Sequence, residues 1–179
     1  MPRLIVAHAV PSRPRALLGT RHIHLTLLAT SFVALLLLAT TGAAMAAPAD
    51  TTPADPGGQV ADLALNYVGA PYRWGGISPS GFDCSGFVLF VYSQFGVDLP
   101  HNEIGQLNSG PSVPASDLQP GDIVVFANTY RAGLSHTGIY IGNGQFVHAA
   151  DEQHGVLVSN LWDSYWGPRL VGAARAIGA

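Results

Sequence analysis

The spacing of apolar residues changes along this chain, and that change constrains the fold more than any other feature. Apolar side chains recur every three or four positions through residues 60–68 and again through 84–95, which is typical of amphipathic helices. From Asp122 onward they alternate with polar residues, which is typical of strands. Helices followed by an antiparallel sheet predict an α+β fold.

The predicted elements have the following bounds. Helices are expected over residues 59–68, ending before Gly69, and over about 84–95, with Gly96 as the terminating glycine. Strands are expected over 122–126, 136–141, 145–150, 155–159 and 170–177. A loop rich in Gly, Pro and Ser is expected to separate the second helix from the first strand.

The first 46 residues have the pattern of a secretory signal. Four arginines precede an uncharged run that contains LTLLATSFVALLLLA, and Ala44-Met45-Ala46 supplies a small-x-small cleavage site. An uncleaved membrane anchor is the alternative, because the uncharged run is long enough to cross a bilayer. Both interpretations export the rest of the chain, so we expect a periplasmic, extracellular or cell-wall location.

Cleavage after Ala46 would leave residues 47–179, and this part of the chain is acidic. It carries four of the eight arginines and all eleven acidic residues, and the chain has no lysine. Nothing in it provides the basic surface that nucleic acid requires. We interpret residues 47–58 as a flexible leader and residues 59–179 as one domain, expected to be monomeric and without stable membrane insertion once the signal is removed.

The single cysteine excludes a disulfide framework and draws attention to its position. Cys84 lies between Asp83 and Ser85 at the predicted start of a helix, where free N–H groups and the helix dipole stabilise a thiolate. These features favour a nucleophile with a lowered pKa and backbone donors for an oxyanion. A buried, inert cysteine is the alternative.

A nucleophilic cysteine needs an imidazole, and residues 47–179 contain four histidines. His136 and His148 lie on the two strands of a predicted hairpin and are the candidates for catalysis. His101 and His154 lie in polar loops and are expected to be exposed and without a special role.

The register of the hairpin decides whether the two strand histidines can act together. A plain two-residue turn at Asn143-Gly144 would put His136 and His148 on opposite faces of the sheet. A three-residue loop over 142–144 with Gly144 left-handed, or an equivalent bulge, would put them on the same face. We predict that loop or such a bulge.

Zinc is the alternative use of Cys84, His136 and His148, since one cysteine and two histidines are legitimate ligands. The spacing matches no compact zinc motif, and neither CxxC nor HExxH occurs. We therefore expect no metal and no other cofactor. The adjacent Asp151 and Glu152 are expected to be solvated in a turn rather than catalytic.

The chain resembles the NlpC-type cell-wall cysteine peptidases, a compact papain-like group, over residues 60–177. Five segments carry the resemblance, in this order: Pro71-Tyr-Arg-Trp-Gly-Gly76, Gly81-Phe-Asp-Cys-Ser-Gly-Phe87, Leu118-Gln-Pro-Gly-Asp122, Ser135-His-Thr-Gly-Ile-Tyr-Ile-Gly142 and Phe146-Val-His-Ala149. The resemblance implies a papain-like fold with the nucleophile at a helix N-terminus packed on an antiparallel sheet.

The resemblance also implies roles for particular residues. Cys84 would be the nucleophile, His136 the general base and acid, and His148 the polar group that orients His136. Tyr72 would lie against the nucleophile and assist the oxyanion, with plain packing as its alternative. The remaining assignments concern the neighbours of the nucleophile: Asp83 and Ser85 would help to position substrate, although Asp83 could be only a helix cap.

Other aromatic and loop residues are less specific. Trp74, Trp162 and Trp166 are expected in the core or in the wall of a groove. The family often has Leu-Pro-Arg followed by Ser or Thr, whereas Leu99-Pro100 is followed here by His101-Asn102-Glu103. This departure concerns the rim of the substrate site.

The implied activity is hydrolysis of peptidoglycan stem peptides, most commonly between γ-D-glutamate and meso-diaminopimelate, through a thioester on Cys84. Cleavage of the D-alanyl–diaminopimelate cross-link is the alternative among enzymes. A catalytically silent wall-binding module is the alternative of another class.

Overall fold

The computed structural model describes residues 55–178. The predicted signal segment and most of the predicted leader lie outside this range. The helices are α1 (Pro56–Leu65), α2 (Cys84–Ser93) and α3 (Glu103–Leu107), with short 3-10 turns at Ala115–Asp117 and Gly167–Arg169. The strands are β1 (Ile77–Ser78), β2 (Gly81–Phe82), β3 (Ser112–Val113), β4 (Ile123–Ala127), β5 (Leu134–Gly142), β6 (Gln145–Ala149), β7 (Val156–Asn160) and β8 (Leu170–Ala174).

The main sheet has six strands in the order β3-β8-β4-β5-β6-β7, and every neighbouring pair is antiparallel. The short strands β1 and β2 form a separate antiparallel pair immediately before α2. The predicted α+β architecture is confirmed: helices come first, and the antiparallel sheet follows.

The first helix begins earlier than its apolar pattern suggests. Asp55 caps α1 by accepting a hydrogen bond from the Gly57 N–H at 3.1 Å, and Pro56 occupies the first turn, where its missing N–H costs nothing. Residues 56–58, which the sequence assigned to the flexible leader, are therefore helical. The pattern did not indicate them because they carry no apolar side chain on the buried face.

The segment between α2 and the sheet is also more ordered than predicted. It contains α3, which Asn102 caps through the Gly105 N–H at 2.7 Å, and the short edge strand β3. Elements of five and two residues are too short to show a periodic apolar pattern, so the sequence indicated only a loop.

The sheet buries apolar side chains on both faces. Alternate residues of the central strands, including Ile123, Val125 and Val147, pack with Phe87 and Val91 of α2. The intervening residues form a second cluster on the opposite face: Val113, Val124, Phe126, Tyr140, Phe146, Leu161 and Ala173. This second face carries the two strand histidines.

The β5–β6 hairpin has the predicted parity by way of a bulge. Asn143 and Gly144 form a two-residue turn with φ of 53° and 70°, and Gly142 pairs with Gln145. The register then shifts between Tyr140 and Gly142, so Ile141 is the extra residue. The three-residue loop is wrong, but the equivalent bulge is confirmed, and His136 and His148 share a face.

No helix among residues 55–178 is long and apolar enough to span a bilayer.

A small residue at position 138 makes room for His148. A Cβ on Gly138 would lie 2.7 Å from the Val147 carbonyl oxygen and 3.0 Å from the His148 Cβ. We predict that Gly138→Ala lowers the free energy of unfolding by about 1–3 kcal/mol, because the clash is with backbone that cannot rotate away. Thermal or urea denaturation measures the loss.

The control for this prediction is Gly172→Ala in β8. A Cβ there meets only the flexible end of Leu107, at 3.3 Å, so the loss of stability is expected to be smaller. Equal losses in the two variants would contradict the packing argument.

Candidate active site

Cys84 is the first residue of α2, as the sequence predicted. Asp83 has extended backbone and caps the helix, accepting a hydrogen bond from the Gly86 N–H at 2.7 Å. The cap fixes the direction of the first turn, and with it the position of the thiol.

The Asp83 carboxylate also binds two other segments. It accepts a hydrogen bond from the Gly75 N–H at 2.9 Å, and it contacts His101 Nε2 at 2.8 Å. His101 is exposed, as predicted, and its ring is in addition bonded to the residue that caps α2. The sequence carried a signal, because His101 stands where the family often has arginine.

The Cys84 thiol is buried and faces a carboxylate. Cys84 is 5% exposed, and its Sγ donates to Glu103 Oε1 at 3.9 Å. The other carboxylate oxygen, Oε2, accepts a hydrogen bond from Arg131 Nη2 at 3.2 Å. Glu103 therefore lies between a thiol and a guanidinium.

This environment keeps the thiol protonated. Burial, the Glu103 carboxylate and then Asp83 raise the pKa of Cys84 to about 12. The backbone N–H groups of Ser85 and Thr137 oppose this rise. The first turn of the helix does lower the pKa of Cys84, as the sequence predicted, but burial and the two carboxylates raise it by more. The predicted net lowering of the Cys84 pKa is therefore wrong for the resting site.

The two strand histidines form a hydrogen-bonded chain. His136 Nε2 lies 2.7 Å from His148 Nδ1, and His148 Nε2 lies 2.9 Å from Ser159 Oγ. His148 thus contacts His136 through Nε2, the ring nitrogen farther from the His136 backbone. The other ring nitrogen of His136, Nδ1, is left to exchange a proton with another group.

Aromatic rings surround both imidazoles. The ring centroid of Trp166 lies 5.1 Å from that of His136 and 4.8 Å from that of His148, while Phe146 stacks on His148 at 4.6 Å. Burial lowers the pKa of His136 to about 3 and also lowers the pKa of His148. Both rings are neutral at neutral pH.

Cys84 meets the histidine strand through its backbone. The N–H of Thr137, the residue after His136, contacts the sulfur. Among the hydrogen bonds of residues 55–178, the thiol's own bond goes to Glu103 and none joins it to His136. The resting site therefore places the thiol of α2 against the backbone of the residue that follows His136, without a direct bond between the thiol and the imidazole.

Two clefts open at this point of the surface. The larger, of about 390 Å³, is lined by Tyr72, Trp74, Asp83, Cys84, Ser85, His101, Asn102, Glu103, Tyr130 and Arg131. A second, of about 260 Å³, is lined by Thr129, Tyr130, His136, Ala150, Asp151, Tyr165 and Trp166. Tyr130 belongs to both, so Cys84 and His136 open into adjoining clefts.

Tyr72 and Ser85 lie in the cleft of the nucleophile, as expected. Burial, together with Cys84 and Asp83, raises the pKa of Tyr72, so its hydroxyl stays protonated. Ser85 is buried, and its carbonyl accepts a hydrogen bond from Gln106 Nε2 at 2.7 Å, which joins α3 to the first turn of α2.

The aromatic residues and His154 behave largely as predicted. Trp74, 69% exposed, forms a cleft wall with its ring edge-on to Tyr130, and Trp166 packs on the histidines. Trp162 is exposed rather than buried in the core. His154 is exposed and contacts Asp151 at 2.8 Å.

Three residues of the site were missed by sequence reasoning: Glu103, Arg131 and Ser159. Glu103 could have been suspected, since it lies in the segment that departs from the family pattern. Arg131 and Ser159 lie in no motif, and only the fold brings them to Glu103 and His148.

Among residues 55–178, no cluster of three or more His, Cys, Asp or Glu side chains is arranged to hold a metal ion. The ring nitrogens that face each other in His136 and His148 share a hydrogen bond.

Comparison with known proteins agrees with this geometry, since the NlpC/P60 family matches residues 69–175. The chain belongs to the NlpC/P60 family. It is 45% identical over 112 residues to a probable endopeptidase p60 of Listeria seeligeri, covering 63% of this chain and 21% of that protein. It is 42% identical over 118 residues to a gamma-DL-glutamyl hydrolase of Bacillus subtilis, covering 65% of this chain and 28% of that protein.

The fold agrees as well. The crystal structure of the NlpC/p60 domain of the peptidoglycan hydrolase SagA superposes with a TM-score of 0.58 at 33% identity, covering 66% of this chain and 97% of that domain. This chain spans about a quarter of the length of the two curated relatives. The similarity is therefore to their NlpC/P60 domains.

The protonated thiol of this NlpC/P60 domain has a testable consequence. We predict that iodoacetamide labels folded Cys84 at pH 7 at least about 100-fold more slowly than it labels the unfolded chain, because only the thiolate reacts. The raised pKa favours the neutral form, so the rate should rise about tenfold per pH unit between pH 6 and 9. Mass spectrometry follows the label, and fast labelling independent of pH would contradict the neutral thiol.

Ser159 fixes the orientation of His148, and its removal tests the relay. Ser159→Ala leaves His148 Nε2 without its hydrogen-bond partner. We expect the activation free energy to rise by about 1 kcal/mol and kcat to fall about fivefold. Ser159→Thr keeps a hydroxyl and is the control. Equal turnover by the Ala variant and the unchanged protein, on any substrate that the protein cleaves, would show that the bond between His148 and Ser159 has no effect.

Proposed function

We propose that the protein is a cysteine peptidase that hydrolyses peptidoglycan stem peptides at the bond between γ-D-glutamate and meso-diaminopimelate. The observation that carries the proposal is a cysteine at a helix N-terminus beside two neighbouring strands that present a hydrogen-bonded pair of histidines. A thiol, a neutral imidazole and an orienting partner are the parts that nucleophilic acyl transfer requires. Membership of the family supports the proposal. The similar domain of the peptidoglycan hydrolase SagA supports the choice of substrate, and the relative named as a gamma-DL-glutamyl hydrolase supports the choice of a γ-glutamyl bond.

The first chemical step uses the free nitrogen of His136. The Cys84 thiol gives its proton to His136 Nδ1 as its sulfur attacks the γ-carbonyl carbon. His136 Nε2–H donates to His148 Nδ1, and His148 Nε2–H donates to Ser159 Oγ. Each nitrogen of the two rings therefore acts either as a donor or as an acceptor. Burial keeps His136 neutral at neutral pH, so Nδ1 has a free lone pair for this proton. Because burial also opposes the imidazolium, the proton is transferred as the sulfur attacks and not before.

The negative charge on the carbonyl oxygen needs donors. Cys84 is the first residue of α2, so its own N–H has no partner within the helix and can donate to the oxyanion. The protonated hydroxyl of Tyr72 opens into the same cleft and is the second donor that we propose. Asp83 and Ser85, also in this cleft, would position the stem peptide.

Three further proton transfers complete the cycle. His136 protonates the leaving amine as the C–N bond breaks, which leaves a thioester on Cys84. Water then attacks the thioester and gives a proton to His136, the C–S bond breaks, and His136 returns that proton to the sulfur. The adjoining clefts suit this order: the acyl part would occupy the cleft of Cys84, and the leaving amine the cleft of His136.

The location of the substrate agrees with the proposed signal segment. Peptidoglycan lies outside the cytoplasmic membrane, and residues 1–46 would export the domain. We propose cleavage after Ala46 and a monomeric enzyme that works in the periplasm, the cell wall or the medium.

The test is mass spectrometry of purified stem peptides incubated with residues 47–179. We expect a new fragment that ends in γ-D-glutamate, together with at least about a 1,000-fold loss of its rate in Cys84→Ala and in His136→Ala. Asp62→Asn, at an exposed position of α1 that lines neither cleft, is the control and is expected to keep the full rate.

Other outcomes would contradict the proposed bond. Conversion of cross-linked dimers to monomers would identify a D-alanyl–diaminopimelate endopeptidase. Binding to peptidoglycan without any cleavage by the folded protein would identify a wall-binding module.

A further inference from the structure

Glu103 is the residue of the cleft that the proposed mechanism does not use. It is 7% exposed, yet its carboxylate opens into the cleft of the nucleophile. Oε1 accepts the hydrogen of the Cys84 thiol, and Oε2 accepts a hydrogen bond from Arg131. A carboxylate is an unexpected neighbour for a nucleophile, because its charge opposes formation of the thiolate.

The balance of charge in this cleft disfavours an anion. Its acidic side chains are Asp83 and Glu103, and its permanent cation is Arg131, whose side chain is 51% exposed and already bonded to Glu103. His101 is bonded to Asp83. A second carboxylate placed beside Glu103 would compete with it for the guanidinium of Arg131. A neutral N–H donor at the same place could instead donate a hydrogen bond to the Glu103 carboxylate.

The proposed substrate brings such a group to this place. In a γ-D-glutamyl residue the α-substituent is four bonds from the scissile carbonyl carbon, and so no more than about 5 Å from it. The carbonyl carbon must come within about 3.5 Å of Cys84 Sγ to react. Glu103 Oε1 lies 3.9 Å from the same sulfur, so the α-substituent can reach Glu103 within the cleft that both residues line.

We propose that Glu103 selects stem peptides whose D-glutamyl α-carboxylate is replaced by an α-carboxamide, whose NH₂ group donates to Glu103 Oε1. This inference rests on the proposed function and names the substrate class of the same site. The free acid offers no donor there and places a carboxylate against a carboxylate, so it binds less well in the reacting position.

Recognition of the amide also releases the nucleophile. At rest, Glu103 Oε1 holds the thiol hydrogen. When the carboxamide occupies that oxygen, the thiol is free to turn and to give its proton to His136 Nδ1. The amidated substrate thus removes the hydrogen bond that holds the thiol in its resting state. We therefore expect the carboxamide to have both a higher kcat and a lower KM than the free acid.

The experiment compares two matched tripeptides, L-alanyl–γ-D-glutamyl–meso-diaminopimelate and its α-carboxamide. For the unchanged protein we expect kcat/KM to favour the amide by about tenfold or more, as a hydrogen bond to a charged acceptor allows. A ratio near one, or a preference for the acid, would overturn the inference while leaving the proposed function intact. Cleavage of neither peptide would overturn the proposed function.

Variants assign the preference to Glu103. Glu103→Gln should bring the amide-to-acid ratio within about threefold of one, since the charge that repels the acid and strengthens the amide's bond is gone. Arg131→Gln, at an exposed position, should increase the ratio because an uncompensated Glu103 repels the acid more strongly. Asp62→Asn should leave the ratio unchanged. An unaltered ratio in Glu103→Gln would overturn the assignment.

Two further measurements separate the remaining possibilities. Binding of both tripeptides to Cys84→Ala needs no turnover, and tighter binding of the amide supports the inference, whereas equal binding overturns it. Acetylation of the L-alanyl amine tests the other nitrogen donor of the substrate. A preference that depends on the free amine and ignores the amide would place an ammonium group at Glu103 and overturn the choice of the carboxamide.

Discussion

The carboxylate of Asp83 is the interaction on which the site depends. It caps α2 through the Gly86 N–H, binds the loop before α2 through the Gly75 N–H, and contacts the ring of His101. These three contacts, each between 2.7 and 2.9 Å, join separate segments of the chain at the residue before Cys84. The first turn of α2, which carries the thiol of Cys84, is therefore held in place by hydrogen bonds from Asp83 to two other segments.

The same site is built to rest in a neutral state. Burial favours the uncharged forms of Cys84 and His136, and the carboxylate of Glu103 further disfavours a thiolate. A thiolate–imidazolium pair formed before substrate binds would carry the desolvation penalty of two buried charges. In this account the charges develop only while substrate is bound, when the oxyanion donors and the relay from His136 to Ser159 are both engaged.

Sequence reasoning located the parts of the site that depend on local rules. The start of α2 at Cys84 follows from a capping aspartate, and the shared face of His136 and His148 follows from strand parity, although a bulge at Ile141 and not a longer loop provides it. What it missed depends on packing between distant segments. Burial reversed the predicted pKa shift of Cys84, and Arg131 reaches the site from a loop without any motif.

Nitrogen NMR of the protein labelled with ¹⁵N-histidine measures the charge of the resting histidines. We expect His136 and His148 to be neutral at pH 7 and neither to gain a proton as the pH falls to 5, because burial lowers both pKa values. Assignment by His136→Ala and His148→Ala identifies the signals. An imidazolium signal from His136 at pH 7 that disappears in Cys84→Ala would contradict this expectation, since it would show a preformed ion pair with the thiolate.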